Sequence, residues 1–133
     1  MWSLLFVAAQ AETLVVEVAG CQTTQGQVVG DLFDKADGYP MDAEQARARA
    51  TATVTGGRAT LRFEGLAAGT YALSVWHDEN TNGKVDLKWF VLPAEALGAS
   101  NAAKGRMGPP SFEDAAFPVT GAETRHAITV QYL

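Results

Sequence analysis

The sequence has little cysteine, a modest number of basic side chains and no long hydrophobic run. Its single cysteine, Cys21, excludes an intrachain disulfide, so the fold must depend on a hydrophobic core. The 10 lysines and arginines are scattered and are outnumbered by 15 acidic residues, for a formal net charge of −5. Nucleic-acid binding requires a concentrated basic face, so we expect no nucleic-acid partner. No stretch approaches the roughly 20 apolar residues that span a bilayer, so we expect no transmembrane segment.

Sequence motifs of common enzymes and zinc sites are also missing. The chain has no HExxH, GxSxG or CxxC and no glycine-rich phosphate loop, and its only histidines are His77 and His126. A structural zinc site would need ligands that the chain does not have. We therefore expect a protein that is not an enzyme.

The length and composition are those of one globular domain. The chain has 133 residues, of which 47% are hydrophobic. A chain of this size can bury a core without metals or crosslinks.

The first eleven residues have the composition of an export signal. They form a short apolar run that ends in Ala9-Gln10-Ala11, the small-x-small pattern that signal peptidase accepts. The run is short and has no basic residue before it, as in a signal peptide that lacks its first residues. We predict a signal peptide over residues 1–11 and a mature domain over 12–133. The alternative is a core strand over residues 2–8.

Apolar residues in the rest of the chain recur with a period of two, which is typical of β-strands. The predicted strands cover residues 13–18, 27–34, 51–55, 58–64, 71–77, 85–92 and 127–133. About seven short strands separated by glycine-containing turns predict an all-β protein, a single antiparallel β-sandwich. Helix is expected only as short turns at 42–48 and 93–98 and after the N-cap residue Ser111.

A long segment over residues 93–116 has no strand periodicity and contains several glycines and prolines. A connection of this length is usually functional or disordered. Its apolar residues, among them Leu97 and Phe112, favour an ordered loop, which we predict to lie over one end of the sandwich.

A calcium-loop pattern follows the strand at 71–77. Oxygen-bearing side chains at Asp78, Asn80, Asn82 and Asp86, with Gly83 and the Lys84 carbonyl, match positions of a Ca²⁺-binding loop. The bidentate glutamate of such a loop is missing, which predicts a weak site with an affinity of about 0.1–1 mM. The alternative is a plain hairpin, because Asn-Gly between two strands is a strong turn signal. The two interpretations are compatible.

The candidate binding surface combines this hairpin with the long loop. Trp76 and Trp89 would meet across the hairpin, either as an exposed platform or as a core pair. The candidate residues are Trp76, His77, Trp89, Ser100, Asn101, Ser111, Phe112, Glu113 and Asp114.

Longer motifs resemble known families. Leu66-Ala-Ala-Gly69-Thr70-Tyr71 resembles the L-x-x-G-x-Y start of a strand in transthyretin-like and Cna-B-type β-sandwiches. The strings at 77–86, 100–102 and 108–115 resemble the domain of unknown function 2141 (DUF2141) family of small exported bacterial proteins. The resemblance covers essentially the whole mature chain. It implies a prealbumin-like sandwich and a periplasmic or secreted location, and it implies no established activity.

Three functional hypotheses follow. The first is an exported, non-enzymatic binding or structural module that has a protein or carbohydrate ligand in the cell envelope, with Ca²⁺ ordering of residues 78–86 and no other cofactor. The second is a hydrolase that uses His77, Asp78 and a residue of the 93–116 loop such as Ser100 or Glu113. The third is an assembly module that acts by strand addition at an open sheet edge.

Overall fold

A computed structural model of the protein describes residues 12–81, 87–88, 92–93, 96–103 and 110–131. The predicted signal peptide lies outside these residues. The described strands are β1 (Glu12–Ala19), β2 (Gln27–Phe33), β3 (Ala48–Ala52), β4 (Ala59–Leu66), β5 (Gly69–Asp78), β6 (Leu87–Lys88), β7 (Leu92–Pro93), β8 (Leu97–Ala99), β9 (Phe117–Val119) and β10 (Glu123–Thr129). One helical turn, α1, covers Phe112–Ala115, and 3₁₀ turns cover Ala43–Gln45 and Ser100–Ala102. In the part of the chain described, no helix has the length and apolar character needed to cross a membrane.

The strands form two main sheets. The first has the order β10-β1-β4, and the second has the order β3-β2-β5-β8, with β9 paired to the beginning of β5. The short strands β6 and β7 pair with each other. The all-β sandwich expected from the sequence is confirmed. One pairing differs from an all-antiparallel arrangement, because β1 runs parallel to β10.

The core lies between the inner faces of the two sheets. The sequence alternation assigns these faces correctly: Leu14, Val16 and Val18 of β1 are fully buried, as are Leu73 and Val75 of β5. Buried side chains of both sheets form one cluster. Burial of these side chains is the main contribution to stability.

Several segments differ from the predicted elements. The last strand covers Glu123–Thr129 and not 127–133, and the described part of the strand predicted at 85–92 is the pair β6 and β7. The predicted helix at 42–48 is only a 3₁₀ turn, capped by the Asp42 carboxylate, and β3 begins already at Ala48. Alanine favours helix in isolation, but here alternate alanines of β3 pack on the core while its backbone pairs with β2. The predicted turn at 93–98 is also wrong at its end, because Leu97–Ala99 is strand β8, paired with β5.

A glycine in β2 allows the two sheets to approach closely. A Cβ atom at Gly30 would lie 2.5 Å from Cδ1 of Leu61, on the opposite sheet. This is closer than van der Waals contact, and the surrounding core is tightly packed. A side chain at this position must therefore push the buried Leu61 side chain out of its place in the core.

We expect Gly30→Ala to lower the free energy of unfolding by about 1–3 kcal/mol, the usual cost of overpacking. Gly69→Ala is the control, because its added Cβ would meet only Tyr71, at an ordinary 3.8 Å. Urea unfolding of both variants measures the difference. Equal stabilities would contradict the close approach.

Candidate functional site

The second sheet has a gap in its hydrogen-bond ladder at Leu73. On one edge of β5, β9 pairs with residues 69–71 and β8 pairs with residues 74–76. The backbone groups of Leu73 fall between these two strands. Its N–H donates to Oγ of Ser100 at 2.9 Å, and its carbonyl accepts from the Tyr39 hydroxyl at 2.7 Å. Two side chains thus replace a missing strand partner.

Ser100 joins the long loop to this gap. The residue is fully buried, and its hydroxyl donates to the Ala115 carbonyl at 2.5 Å while accepting from Leu73. Ala115 is the last residue of α1, whose N-cap is Ser111, as predicted: the Ser111 hydroxyl accepts from Asp114 N at 3.1 Å. The Ser100 hydroxyl therefore fixes α1 against β5.

Asn101 makes a second set of bonds to the same helix. Its side-chain nitrogen donates to the Ala116 carbonyl at 2.6 Å, and its backbone N–H donates to Nε2 of His126 at 3.1 Å. The His126 ring stacks on Phe117, with 4.4 Å between ring centroids. Asn101 has a φ of 58°, a left-handed conformation that asparagine tolerates better than most residues.

Tyr39 brings a third segment to the gap. Its ring meets Phe33 at 5.1 Å and Phe112 at 6.0 Å, both edge to face. Burial raises the pKa of the Tyr39 phenol, so this group stays protonated and donates to Leu73. We name the meeting of residues 34–45, Ser100–Ala102 and Phe112–Ala115 around Leu73 the Leu73 junction.

The exposed side of the Leu73 junction is acidic and has one prominent apolar group. Met41 is 50% exposed, the most prominent large hydrophobic side chain on the surface of the described residues. Residues 34–45 and 112–115 together hold six acidic residues and one lysine. Their net charge of −5 equals that of the whole chain, so the remainder of the sequence is neutral overall. We name the exposed residues of these two segments the junction surface.

The chain as a whole matches one family model. The match covers residues 16–127, and the family is described as uncharacterized proteins conserved in bacteria (DUF2141). The chain belongs to this family. No curated protein and no solved structure matches it. The resemblance to DUF2141 seen in the sequence motifs is confirmed, and the match includes every residue of the Leu73 junction named above.

In this DUF2141 protein, the predicted site residues separate into two groups. Six of them lie at the Leu73 junction or directly beside it: Ser100, Asn101, the helix cap Ser111, Phe112, Glu113 and Asp114. Trp76, His77 and Asp78 belong to the last part of β5, and all three are buried. Trp89 lies outside the described residues.

The long loop runs along the edge of β5, and this corrects the expected position over one end of the sandwich. Its beginning meets the end of β5, where His77 N donates to the Ala96 carbonyl at 3.0 Å. Its later part meets Leu73 and then continues as β9 beside Tyr71. The loop supplies backbone partners that the edge of β5 would otherwise lack.

The end of β5 carries the described part of the calcium-loop pattern. Asp78 is fully buried, and its carboxylate lies 3.5 Å from the side-chain nitrogen of Gln27. Asn80 is exposed, and Thr81 N donates to the Asp78 carbonyl at 3.3 Å. Asn82, Lys84 and Asp86 lie outside the described residues. The Ca²⁺ site stays a prediction.

The hairpin interpretation required β5 to pair with residues 85–92. Within the described residues β5 instead pairs with β2 on one edge and with β8 and β9 on the other, while β6 pairs with β7. The hairpin pairing is therefore wrong for these residues. His77, next to this turn, donates from Nε2 to the Gln25 carbonyl at 2.7 Å.

Sequence reasoning missed a buried ion pair on the outer face of the second sheet. Asp31 is 2% exposed and accepts two hydrogen bonds from Arg49, at 2.7 and 3.0 Å. The hydrogen bond with Asp31 raises the pKa of Arg49, whose guanidinium also lies 5.2 Å from the Trp76 ring centroid. Strand alternation places Asp31 on the outer face but does not reveal that this face is buried. The apolar residues Val29 and Phe33, which share this face of β2 with Asp31 and are fully buried, were the available signal.

The contacts at the Leu73 junction predict that replacing Ser100 by alanine lowers the free energy of unfolding more than replacing Ser111 does. Ser100→Ala leaves two buried backbone groups without partners, at about 1–3 kcal/mol for each group. Ser111→Ala removes only an exposed helix cap, worth about 1 kcal/mol. Thermal or urea unfolding of both variants measures the difference. A smaller loss for Ser100→Ala than for Ser111→Ala would contradict the role of Ser100.

Proposed function

We propose that the protein is a non-enzymatic binding module of the bacterial cell envelope, and that it binds a protein partner through the junction surface. The observation that carries this proposal is the exposed Met41 side chain. Met41 lies two residues after Tyr39, and the hydroxyl of Tyr39 is fixed by its hydrogen bond to Leu73. Methionine is a common contact residue at binding surfaces because it is flexible and polarizable. A rigid base reduces the conformational entropy that binding would cost.

The charge of the junction surface indicates the chemistry of the partner. The carboxylates of residues 34–45 and α1 are exposed, so they keep their hydration in the free protein. Such a surface attracts a basic partner and speeds the encounter, and the effect weakens as salt increases. We infer a partner segment with lysine or arginine side chains around an apolar contact for Met41.

The hydrogen bonds of the candidate nucleophile and base support binding over the hydrolase alternative. The Ser100 hydroxyl donates to Ala115, and His77 Nε2 donates to Gln25. Nucleophilic catalysis requires a hydroxyl that donates to a neighbouring base. Both groups bond to backbone carbonyls and so hold neighbouring segments in place: Ser100 holds α1, and His77 holds the segment before β2.

Strand addition at the edge formed by β3 has less support. β3 is the outer strand of the second sheet in the order β3-β2-β5-β8 and has only five residues. Its Arg49 points to the outer face, where it pairs with Asp31. A short edge strand that carries a charged side chain is typical of edges that avoid pairing with other chains.

Site-specific crosslinking tests the junction surface. A photoreactive amino acid in place of Met41 should give a discrete adduct in the envelope of the bacterium that makes the protein. The matched control is the same amino acid in place of Arg62, on the outer face of β4. Glu113→Gln with Asp114→Asn should lower the adduct yield, as should added salt. No adduct at position 41, or the same adducts at both positions, would contradict the proposal.

The proposal includes weak binding of Ca²⁺ at residues 78–86, which follow β5. We expect millimolar Ca²⁺ to raise the thermal midpoint, with a gain of about 1.4 kcal/mol at ten times the dissociation constant. Asp78→Asn keeps the shape of the side chain next to Gln27 and removes its charge, so the gain should disappear. Mg²⁺ is the ion control, and excess EDTA gives the baseline. An equal response of the protein and the variant would exclude Asp78 as a ligand.

A further inference from the structure

His126 holds the long loop through a bond that depends on its protonation state. Its Nε2 accepts the backbone N–H of Asn101 at 3.1 Å, which requires a neutral ring with the proton on Nδ1. A protonated ring has N–H groups at both positions. Two donors would then face each other across the same distance, and the hydrogen bond would be lost.

The surroundings of His126 provide no described charge that would stabilise the protonated ring. Thr124 and Ile128 share its face of β10, Val16 of β1 is its cross-strand neighbour, and Phe117 stacks on the ring. The His126 ring also contacts Asn101 of the 3₁₀ turn, and the nearby strand β8 consists of Leu97, Gly98 and Ala99. All of these neighbours are uncharged.

The charged groups of the neighbouring elements are engaged elsewhere. Arg125 lies on the opposite face of β10, where it pairs with Glu17 and Glu123. On α1, the side chains of Glu113 and Asp114 are exposed, and Asp114 approaches Asn101 through its backbone carbonyl. Burial lowers the pKa of His126 below its usual value of about 6.5.

We propose that His126 is a pH-sensitive latch that holds Asn101 in place at neutral pH and releases it in acid. Asn101 adopts a left-handed conformation and ties the end of α1 through the Ala116 carbonyl, so losing its anchor on β10 weakens this tie. Glu113 and Asp114 on the junction surface are then positioned mainly by the Ser100 hydrogen bond to Ala115. The latch rests on the proposed function for its biological use, but its opening can be measured without any partner.

The direction of the pH effect follows from the lowered pKa. The unfolded or released chain binds a proton more readily than the docked loop does. The stability contributed by docking is therefore fully present above about pH 6.5, the unfolded value, and is lost as the pH falls through the lower folded pKa.

Amide hydrogen exchange of the full chain, followed by NMR between pH 8 and pH 5, tests the latch. We expect the protection factor of the Asn101 amide to begin to fall at about pH 6.5, by up to tenfold per pH unit, and to level off below the folded pKa of His126. The lower end of this fall should coincide with the titration of the His126 ring in the folded chain. Amides of β1, such as Val16, should keep their protection and so exclude global unfolding.

Two variants make the test specific. His126→Gln supplies an acceptor that does not titrate, so protection at Asn101 should no longer depend on pH. His126→Phe keeps a ring to stack on Phe117 without an acceptor, so protection should be low at every pH. A pH-independent Asn101 amide in the unmodified protein, or a fall that does not follow the His126 titration, overturns the latch. Either result leaves crosslinking at position 41 as an independent test of the junction surface.

Discussion

The need to pair the N–H and C=O of Leu73 determines how three loop segments meet at the edge of β5. A buried backbone group without a partner costs about as much as a lost hydrogen bond, so a gap in a sheet must be filled. Here the partners are the hydroxyls of Ser100 and Tyr39, which come from segments far apart in the sequence. Each of these side chains also has a second contact, with Ala115 or with Phe112. A single gap in the strand pairing along one edge of β5 therefore brings three loop segments together.

On the outer face of the same sheet, a buried carboxylate is compensated by an ion pair. Asp31 and Arg49 form a bidentate pair that is almost fully buried on the carboxylate side, and the guanidinium covers the Trp76 ring. Burial of a lone carboxylate would be costly, and the pairing makes it tolerable. Together the pair and the Leu73 junction give the five-stranded sheet two polar anchor points outside the apolar core. The loop segments at the Leu73 junction are tied by paired polar groups, which makes them more rigid than loops that only cover a hydrophobic surface.

The alternating pattern of β1, β4 and β5 was sufficient to predict the sandwich and its core, because a period of two assigns side chains to faces without knowledge of the partner strand. The same pattern could not predict β8, since three residues become a strand only through their pairing with β5. It also could not show that Ser100 and Asn101 serve the loop itself. Short polar residues in a glycine-rich segment suggest a ligand surface, whereas here their hydrogen-bonding groups meet the backbone of α1 and the ring of His126. Non-local contacts of this kind leave no periodicity in the sequence.

The pairing of β1 has a consequence for how the chain folds. β1 is the central strand of its sheet, and its two neighbours are β4 and the last strand, β10. During synthesis, β1 can find β4 early, but its other edge stays without hydrogen-bond partners until residues 123–129 have been made. Contacts between such distant segments slow folding. The order of strands therefore makes completion of this sheet a late event, which requires nearly the entire chain.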